Sequence, residues 1–343
     1  MIRSNPSGRR KVLLAAAALS ILIASLAISA CGSSSSDSGD GTLAAADGCS
    51  QTSTDGNLTV VPIDIEPYKT DSSPEGYFAI AYVCVGDSKN PLPFKIDTGA
   101  SNTLFTPAAA KEAGLKTTEG DFSAGANCLI ETRNAKLSGW SLAGMPLPET
   151  TVHVAKSPEV EVGGITPVGL LGSDVLSRFG AFRVDYEGSR AVFTTIAPGE
   201  KIDPEALDDL AGGSPELKAP MDVQSEQGSV TMTVPVRFGS GPQLKMSPDT
   251  GATWTIASSK VAKQQDLEPT GDTDKVGTAC GSTKVTFYES GDWTLAGSDL
   301  PAQEIGTTEG LVGIDGLLGA DVMEHYGTVT FDYAGGQLLL GTG

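Results

Sequence analysis

Histidine is almost missing from this chain: His153 and His325 are the only two in 343 residues. One falls in each half at non-matching positions, so they read as isolated surface or capping residues, not as catalytic or metal-binding partners. No Cys-x-x-Cys pair occurs, and no Gly-rich loop opens a helix, which argues against a zinc site and a phosphate-binding site. No metal and no cofactor are expected. Cations are scarce as well. The 23 Lys and Arg face 42 Asp and Glu, for a formal charge of −19. A surface this acidic repels nucleic acid and anionic lipid and favours solubility outside the cell. Of the three Trp, Trp140 and Trp293 stand at matched strand positions and read as structural.

The N-terminus has the composition of a secretory signal. "MIRSNPSGRRK" is basic, and "VLLAAAALSILIASLAISA" is a run of nineteen residues without charge. Cys31 and a Gly/Ser/Asp-rich stretch follow. The run "ISAC" resembles a bacterial lipobox. That resemblance implies cleavage before Cys31, a diacylglycerol on its sulfur and anchoring in membrane lipid, which stabilises when two or more chains insert. An uncleaved apolar helix is the alternative. Residues 1–30 are thus expected as the signal and 31–56 as the lipidated cysteine with a flexible tether.

Four further cysteines remain: Cys49, Cys84, Cys128 and Cys280. An even number in an exported chain suggests two disulfides. Three pairings are possible, and spacing does not choose among them.

From Asn57 onward the chain is strand-rich, and it is built twice. "DTGASNTLFTPAAAKEAGL" leads through "SGWSLAG" to "VGLLGSDVLSRFGAFRVDYEGSRAVF". "DTGATWTIASSKVAKQQDL" leads through "SGDWTLAG" to "DGLLGADVMEHYGTVTFDYAGGQLLL". Asp97 precedes Leu115 by eighteen positions, and Asp249 precedes Leu267 by eighteen. Trp140 matches Trp293, and Gly172 matches Gly319. Two copies of one unit of ordinary domain size follow, at 57–196 and 223–343. The Pro-, Gly- and acid-rich 197–222 reads as the linker. Each unit reads as strands, a short helix ("TPAAAKEAGL" in the first), a helical turn after "GLLG" and a closing hairpin.

A single Asp-Thr-Gly is an ordinary Asx-type turn at a strand end. Two copies in matching contexts put a carboxylate twice at the end of a buried strand. Two carboxylates within hydrogen-bonding distance cannot both ionise cheaply, so they share a proton and titrate as a pair. The ionised member can take a proton from water while the protonated member polarises a peptide carbonyl. A duplicated structural unit that has lost its chemistry is the competing reading.

The pattern DTGA…GLLGxD…DYxG resembles the retropepsin-like aspartic peptidases, with two units fused as in the bilobal pepsins. The resemblance implies an all-β fold: two β-barrel lobes related by pseudo-twofold symmetry, with short helices. It implies a monomeric endopeptidase acting on extended polypeptides. Asp97 and Asp249 would be catalytic, and Thr98, Gly99, Thr250 and Gly251 would support the active-site loops. Ser101, Thr253, Gly125 and Gly277 are candidates for substrate binding. Retropepsin spacing puts flaps at "DFSAGANC" and "DKVGTACG", with ordinary hairpin turns as the alternative. If both tips overhang one cleft, Cys128 and Cys280 would be close enough to bridge. Leu170, Leu171, Leu317 and Leu318 are expected in the core, and Asp174 and Asp321 at a turn or cap or behind the active-site loop.

Three features depart from the pattern. Pro248 stands where the first copy has Ile96 and brings no ladder donor, which threatens the placement of Asp249. No Tyr lies between Phe105 and Trp140, so the pepsin flap tyrosine has no counterpart. Ala100 and Ala252 replace the hydroxyl residues of pepsin-like enzymes. Losing a hydrogen bond to the ionised form raises the dyad's apparent pKa values, so activity is expected at mildly acidic to neutral pH.

Overall fold

The computed structural model describes residues 49–341, apart from 56, 87, 89, 125–128, 157–159, 195–201 and 279–280. The signal, Cys31, most of the tether, Gly125, Cys128 and Cys280 therefore lie outside the described residues.

Strands dominate, in three sheets. Each half of the chain contributes a ten-stranded sheet, and a seven-stranded sheet draws on both halves. The N-terminal lobe is organised on the long strand Gly76–Val85, which pairs with Leu92–Ile96 on one side and Trp140–Leu142 on the other. The C-terminal lobe repeats this with Ser229–Phe238, paired to Leu244–Pro248 and Trp293–Leu295. The matched tryptophans do the same job twice. Trp140 Nε1 donates to Pro148 O at 2.9 Å and Trp293 Nε1 to Pro301 O at 2.7 Å, pinning each following turn.

The shared sheet defines the symmetry. Strand Ala181–Asp185 runs antiparallel to Thr328–Asp332, with Ala181 opposite Asp332, Arg183 opposite Thr330 and Asp185 opposite Thr328. In the repeat that superposes Gly172 on Gly319, Ala181 corresponds to Thr328 and Asp185 to Asp332. The two outer pairs are images of each other, and the Arg183–Thr330 pair sits on the pseudo-twofold axis. Phe182 and Phe331 stack across this join with centroids 5.2 Å apart. Such burial in a continuous core makes the lobes one folding body and not two tethered ones.

The expected helix after Phe105 forms at Pro107–Glu112. Thr106 caps it by accepting from Ala109 N–H, and proline occupies its first turn, where no donor is needed. The stretch expected as a linker is more structured than its composition suggests. Within it, Pro204–Ala211 is helical with an Asp203 cap, and Leu217–Pro220 pairs with Gln337–Leu340 in the shared sheet. Ser53–Asp55, inside the expected tether, pairs with Leu58–Pro62. Cys49 is bonded to Cys84, tying the entry of the described chain to the central strand of the first lobe. This settles one pairing that spacing left open.

Candidate active site

Each Gly-Leu-Leu run forms the parallel neighbour of the strand that carries an Asp. Gly169–Leu171 lies along Phe94–Ile96, and Gly316–Leu318 lies along Met246–Pro248. All four leucines are buried. The ladders end at the acids themselves: Asp97 N–H donates to Leu171 O at 3.0 Å and Asp249 N–H to Leu318 O at 2.9 Å. Both aspartates are fully buried, with 0 % exposure.

The Thr-Gly pairs lock the two loops together. Thr98 Oγ1 donates to Pro248 O at 2.8 Å, and Thr250 Oγ1 donates to Ile96 O at 2.7 Å. Each hydroxyl also accepts the other threonine's backbone N–H, at 3.0 and 3.1 Å. Pro248 therefore contributes only a carbonyl at this junction, and its missing N–H removes none of these bonds. Gly99 must be glycine for space, since any Cβ there would overlap the Asp249 carboxyl.

Backbone donors converge on the carboxylates. Asp97 Oδ1 accepts from Ala100 N–H at 2.8 Å. Asp249 Oδ1 accepts from Gly251 N–H at 2.8 Å, Ala252 N–H at 3.2 Å and, across the lobes, Gly99 N–H at 3.3 Å. Asp249 Oδ2 is buried without an ordinary hydrogen-bond donor. The Asp249 carboxyl is held well above the usual carboxylate range. Burial is the main cause, followed by the charge of Asp97. Lys95 tempers this shift. Its ammonium is buried two residues before Asp97, and burial lowers its own pKa while both aspartates work to keep it charged.

Other candidates take different places. Ser101 is fully buried, and its carbonyl accepts from Val230 N–H of the other lobe at 3.0 Å. Thr253 is also buried, and its backbone packs against Gly76 of the opposite lobe. Neither presents surface to a peptide; both seat the incoming strand of the other lobe. Gly277 pairs with Ser282 in the hairpin formed by Pro269–Thr278 and Gly281–Glu289. The matching hairpin joins Thr117–Ala124 to Leu129–Leu137. The described residues of both expected flap segments thus lie on hairpin strands, and 125–128 and 279–280 lie outside the described residues. Thr70 of the first lobe donates to Asp274 of the second hairpin, so that hairpin touches the opposite lobe. His153 bonds Thr132 Oγ1 through Nδ1 at 3.2 Å and His325 packs on Tyr326. Among the described residues no cluster of His, Cys, Asp and Glu could hold a metal, and no helix is long and apolar enough to cross a membrane.

Support residues behind the loops were only partly foreseen. Asp174 accepts from Thr103 N–H at 2.7 Å and Oγ1 at 2.8 Å; Asp321 does the same for Thr255, at 2.9 and 2.8 Å. Each acid ties the helix after GLLG to the chain leaving the Asp-Thr-Gly loop. Burial pushes Asp174 up to about 7 and Asp321 up to about 6, against those hydrogen bonds. Ser173 Oγ donates to Thr98 O at 2.8 Å and meets Tyr333 OH at 2.9 Å. Sequence reading missed Ser173 and Lys95. The available signal for Lys95 was a lone cation inside the apolar run "PFKI".

Paired acids on symmetric, cross-braced loops of a bilobal β fold define an aspartic-protease-like protein. The aspartyl protease family model matches residues 81–175 and 234–322, one segment in each lobe, and the chain belongs to that family. Among solved structures it is similar to the aspartic proteinase from Irpex lacteus, at 14 % identity and a TM-score of 0.42, covering 83 % of this chain and 97 % of that one. It is also similar to basic 7S globulin from soybean, at 12 % identity and a TM-score of 0.41, covering 84 % and 95 %. Conglutin gamma from lupine seeds matches at 13 % identity and a TM-score of 0.43, covering 84 % and 95 %. No curated protein matches by sequence.

Proposed function

We propose that this protein is an aspartic endopeptidase acting outside the cytoplasm, held to the membrane by lipid on Cys31. One observation carries the catalytic part: two fully buried aspartates brought face to face by reciprocal threonine hydrogen bonds from opposite lobes. In that setting one proton serves both carboxyls, as in aspartic-protease dyads generally. The ionised aspartate takes a proton from water as the water oxygen bonds to the peptide carbonyl carbon, and the protonated aspartate stabilises the developing oxyanion; the C–N bond then breaks as the proton taken from water passes to the leaving amine nitrogen. The raised pKa of Asp249, caused first by burial and then by the charge of Asp97, supports a pair that keeps one proton. Extended peptides would be held by main-chain hydrogen bonds between the lobes.

A second reading, a lipoprotein that binds peptides without cutting them, is favoured by the complete burial of both aspartates, which requires the lobes or hairpins to part before substrate reaches them. A cleavage assay on denatured protein separates the two. Cleavage by the wild type that is abolished in Asp97→Asn and in Asp249→Asn, and by a statine-type inhibitor, supports the enzyme. Tight peptide binding without cleavage between pH 3 and 8 would sink it. Metabolic labelling with a fatty acid, lost in Cys31→Ser, tests the anchor.

A further inference from the structure

We propose that Lys95 makes the substrate pocket of the N-terminal lobe selective for an acidic side chain next to the scissile bond. This rests on the peptidase reading above.

A pocket lies beside each of the two strands that lead to the acids. One is lined by Phe78, Lys95, Val160, Val162, Pro167 and Leu170. The other includes Gly99, Thr231, Thr233, Ser247 and Ile314. The repeat makes them images. Lys95 and Ser247 each stand two residues before a catalytic aspartate, so strand alternation puts each on the same face as its acid. Phe78 and Thr231 lie on the long strands beside them. Pro167 and Ile314 each stand two residues before a Gly-Leu-Leu run.

The images differ in chemistry and in room. The N-terminal pocket has walls that are apolar except for Lys95, and about 10 Å³ of free space, room for a single water. Its counterpart has about 100 Å³, with neutral Ser247 at the matching position and Asp222 and Lys245 exposed at its edge. Lys95 fills its own pocket. It is 7 % exposed, and its Nζ lies 5.0 Å from the centroid of the Phe78 ring. Among the described residues no carboxylate is within ion-pair distance of it.

A residue needed only for packing there would be apolar, as its neighbours are. A buried ammonium is costly without a counter-charge, and the single charge of the dyad compensates it only in part. An apolar substrate side chain covering this pocket would strip the remaining solvent from the ammonium and return nothing. A carboxylate set over the mouth of this pocket, where the 7 % of Lys95 that is still exposed can reach it, would return a charge-assisted hydrogen bond in a dry setting, where such bonds are strong. The larger pocket opposite, where Ser247 is neutral and Asp222 and Lys245 are exposed to solvent, makes no such demand and accepts bulk.

The test compares peptides identical except at the two residues flanking the cut, carrying Asp, Glu, Leu or Lys there in turn, with the full-length chain. Wild type is expected to show kcat/KM at least tenfold higher with an acid than with Leu at one flanking position, and lowest with Lys. Lys95→Leu should lose or invert that preference, read as the ratio of kcat/KM for the acidic over the Leu peptide within the same variant, and Lys95→Arg should keep it. Cleavage by the wild type with no acid preference at either position overturns the proposal and leaves the peptidase reading intact. If no peptide is cut, paired statine peptides with Asp or Leu beside the statine decide by calorimetry. Tighter binding of the Asp form that vanishes in Lys95→Leu supports the proposal, and equal affinity or no binding overturns it.

Discussion

Gly99 of one lobe lies against Asp249 of the other, its N–H 3.3 Å from Oδ1 and its α-carbon too close to the carboxyl for any side chain. The Asp-Thr-Gly loop of each half is therefore shaped by the opposite half. Gly99→Ala is expected to fold but to push the Asp249 carboxyl aside. Displacements of about 1 Å at a reacting group cost roughly 100-fold in rate. Measuring kcat/KM beside a thermal melt checks this; full activity in a well-folded Gly99→Ala protein would contradict the geometry.

The threonine brace should be a stability element as well as an active-site one. Thr98→Val and Thr250→Val keep shape but leave Pro248 O or Ile96 O without its buried donor. Each is expected to cost about 1–3 kcal/mol in urea denaturation. Because the two hydroxyls bond into one network, the double variant should lose less than the sum of the single losses.

Asp174 and Asp321 make stability fall as pH rises. Their folded pKa values, about 7 and about 6, exceed the 3.8 of a free aspartate, so the folded protein binds more protons than the unfolded chain in between. Their contribution is complete below about pH 4 and is lost as pH climbs to about 7 and about 6, at a slope of about 1.4 kcal/mol per pH unit for each proton. Asp174→Asn should flatten the stability curve across pH 4–7, as read by denaturation at several pH values. An unchanged curve would show that Asp174 titrates normally.

Activity is expected to peak at mildly acidic to neutral pH. Only backbone N–H groups from Ala100 and Ala252 reach the carboxylates where a hydroxyl side chain would add another donor, and burial raises Asp249 further. A pH–rate profile confined below about pH 4 would contradict this.

The Cys49–Cys84 bond closes a long loop at the entry to the first lobe. Replacing both cysteines by serine is expected to cost about 2–4 kcal/mol by freeing the unfolded chain. Reduction should produce the same loss in the wild type and none in the double variant.

The duplication, the two acids and the β-rich bilobal fold were legible because they are repeated local patterns. A strand ending in Asp-Thr-Gly and a Gly-Leu-Leu run that borders it are specified by residue order and alternation. Less was legible where partners come from the other half. Ser101 and Thr253 look like cleft residues in sequence, yet each is buried under a strand entering from the opposite lobe. Residues 217–220 look like linker, yet they complete a sheet whose partner strand lies at 337–340.

Residue order alone singled out the two carboxylates and the turns that present them, since short-range sterics and strand alternation act within a few positions. Tertiary structure decided that Pro248 offers its carbonyl to Thr98, that Cys49 bonds Cys84, and that the cation of Lys95 is shut in beside two acids. These are contacts between segments far apart in the chain, and burial sets their energies only once the lobes have closed on each other.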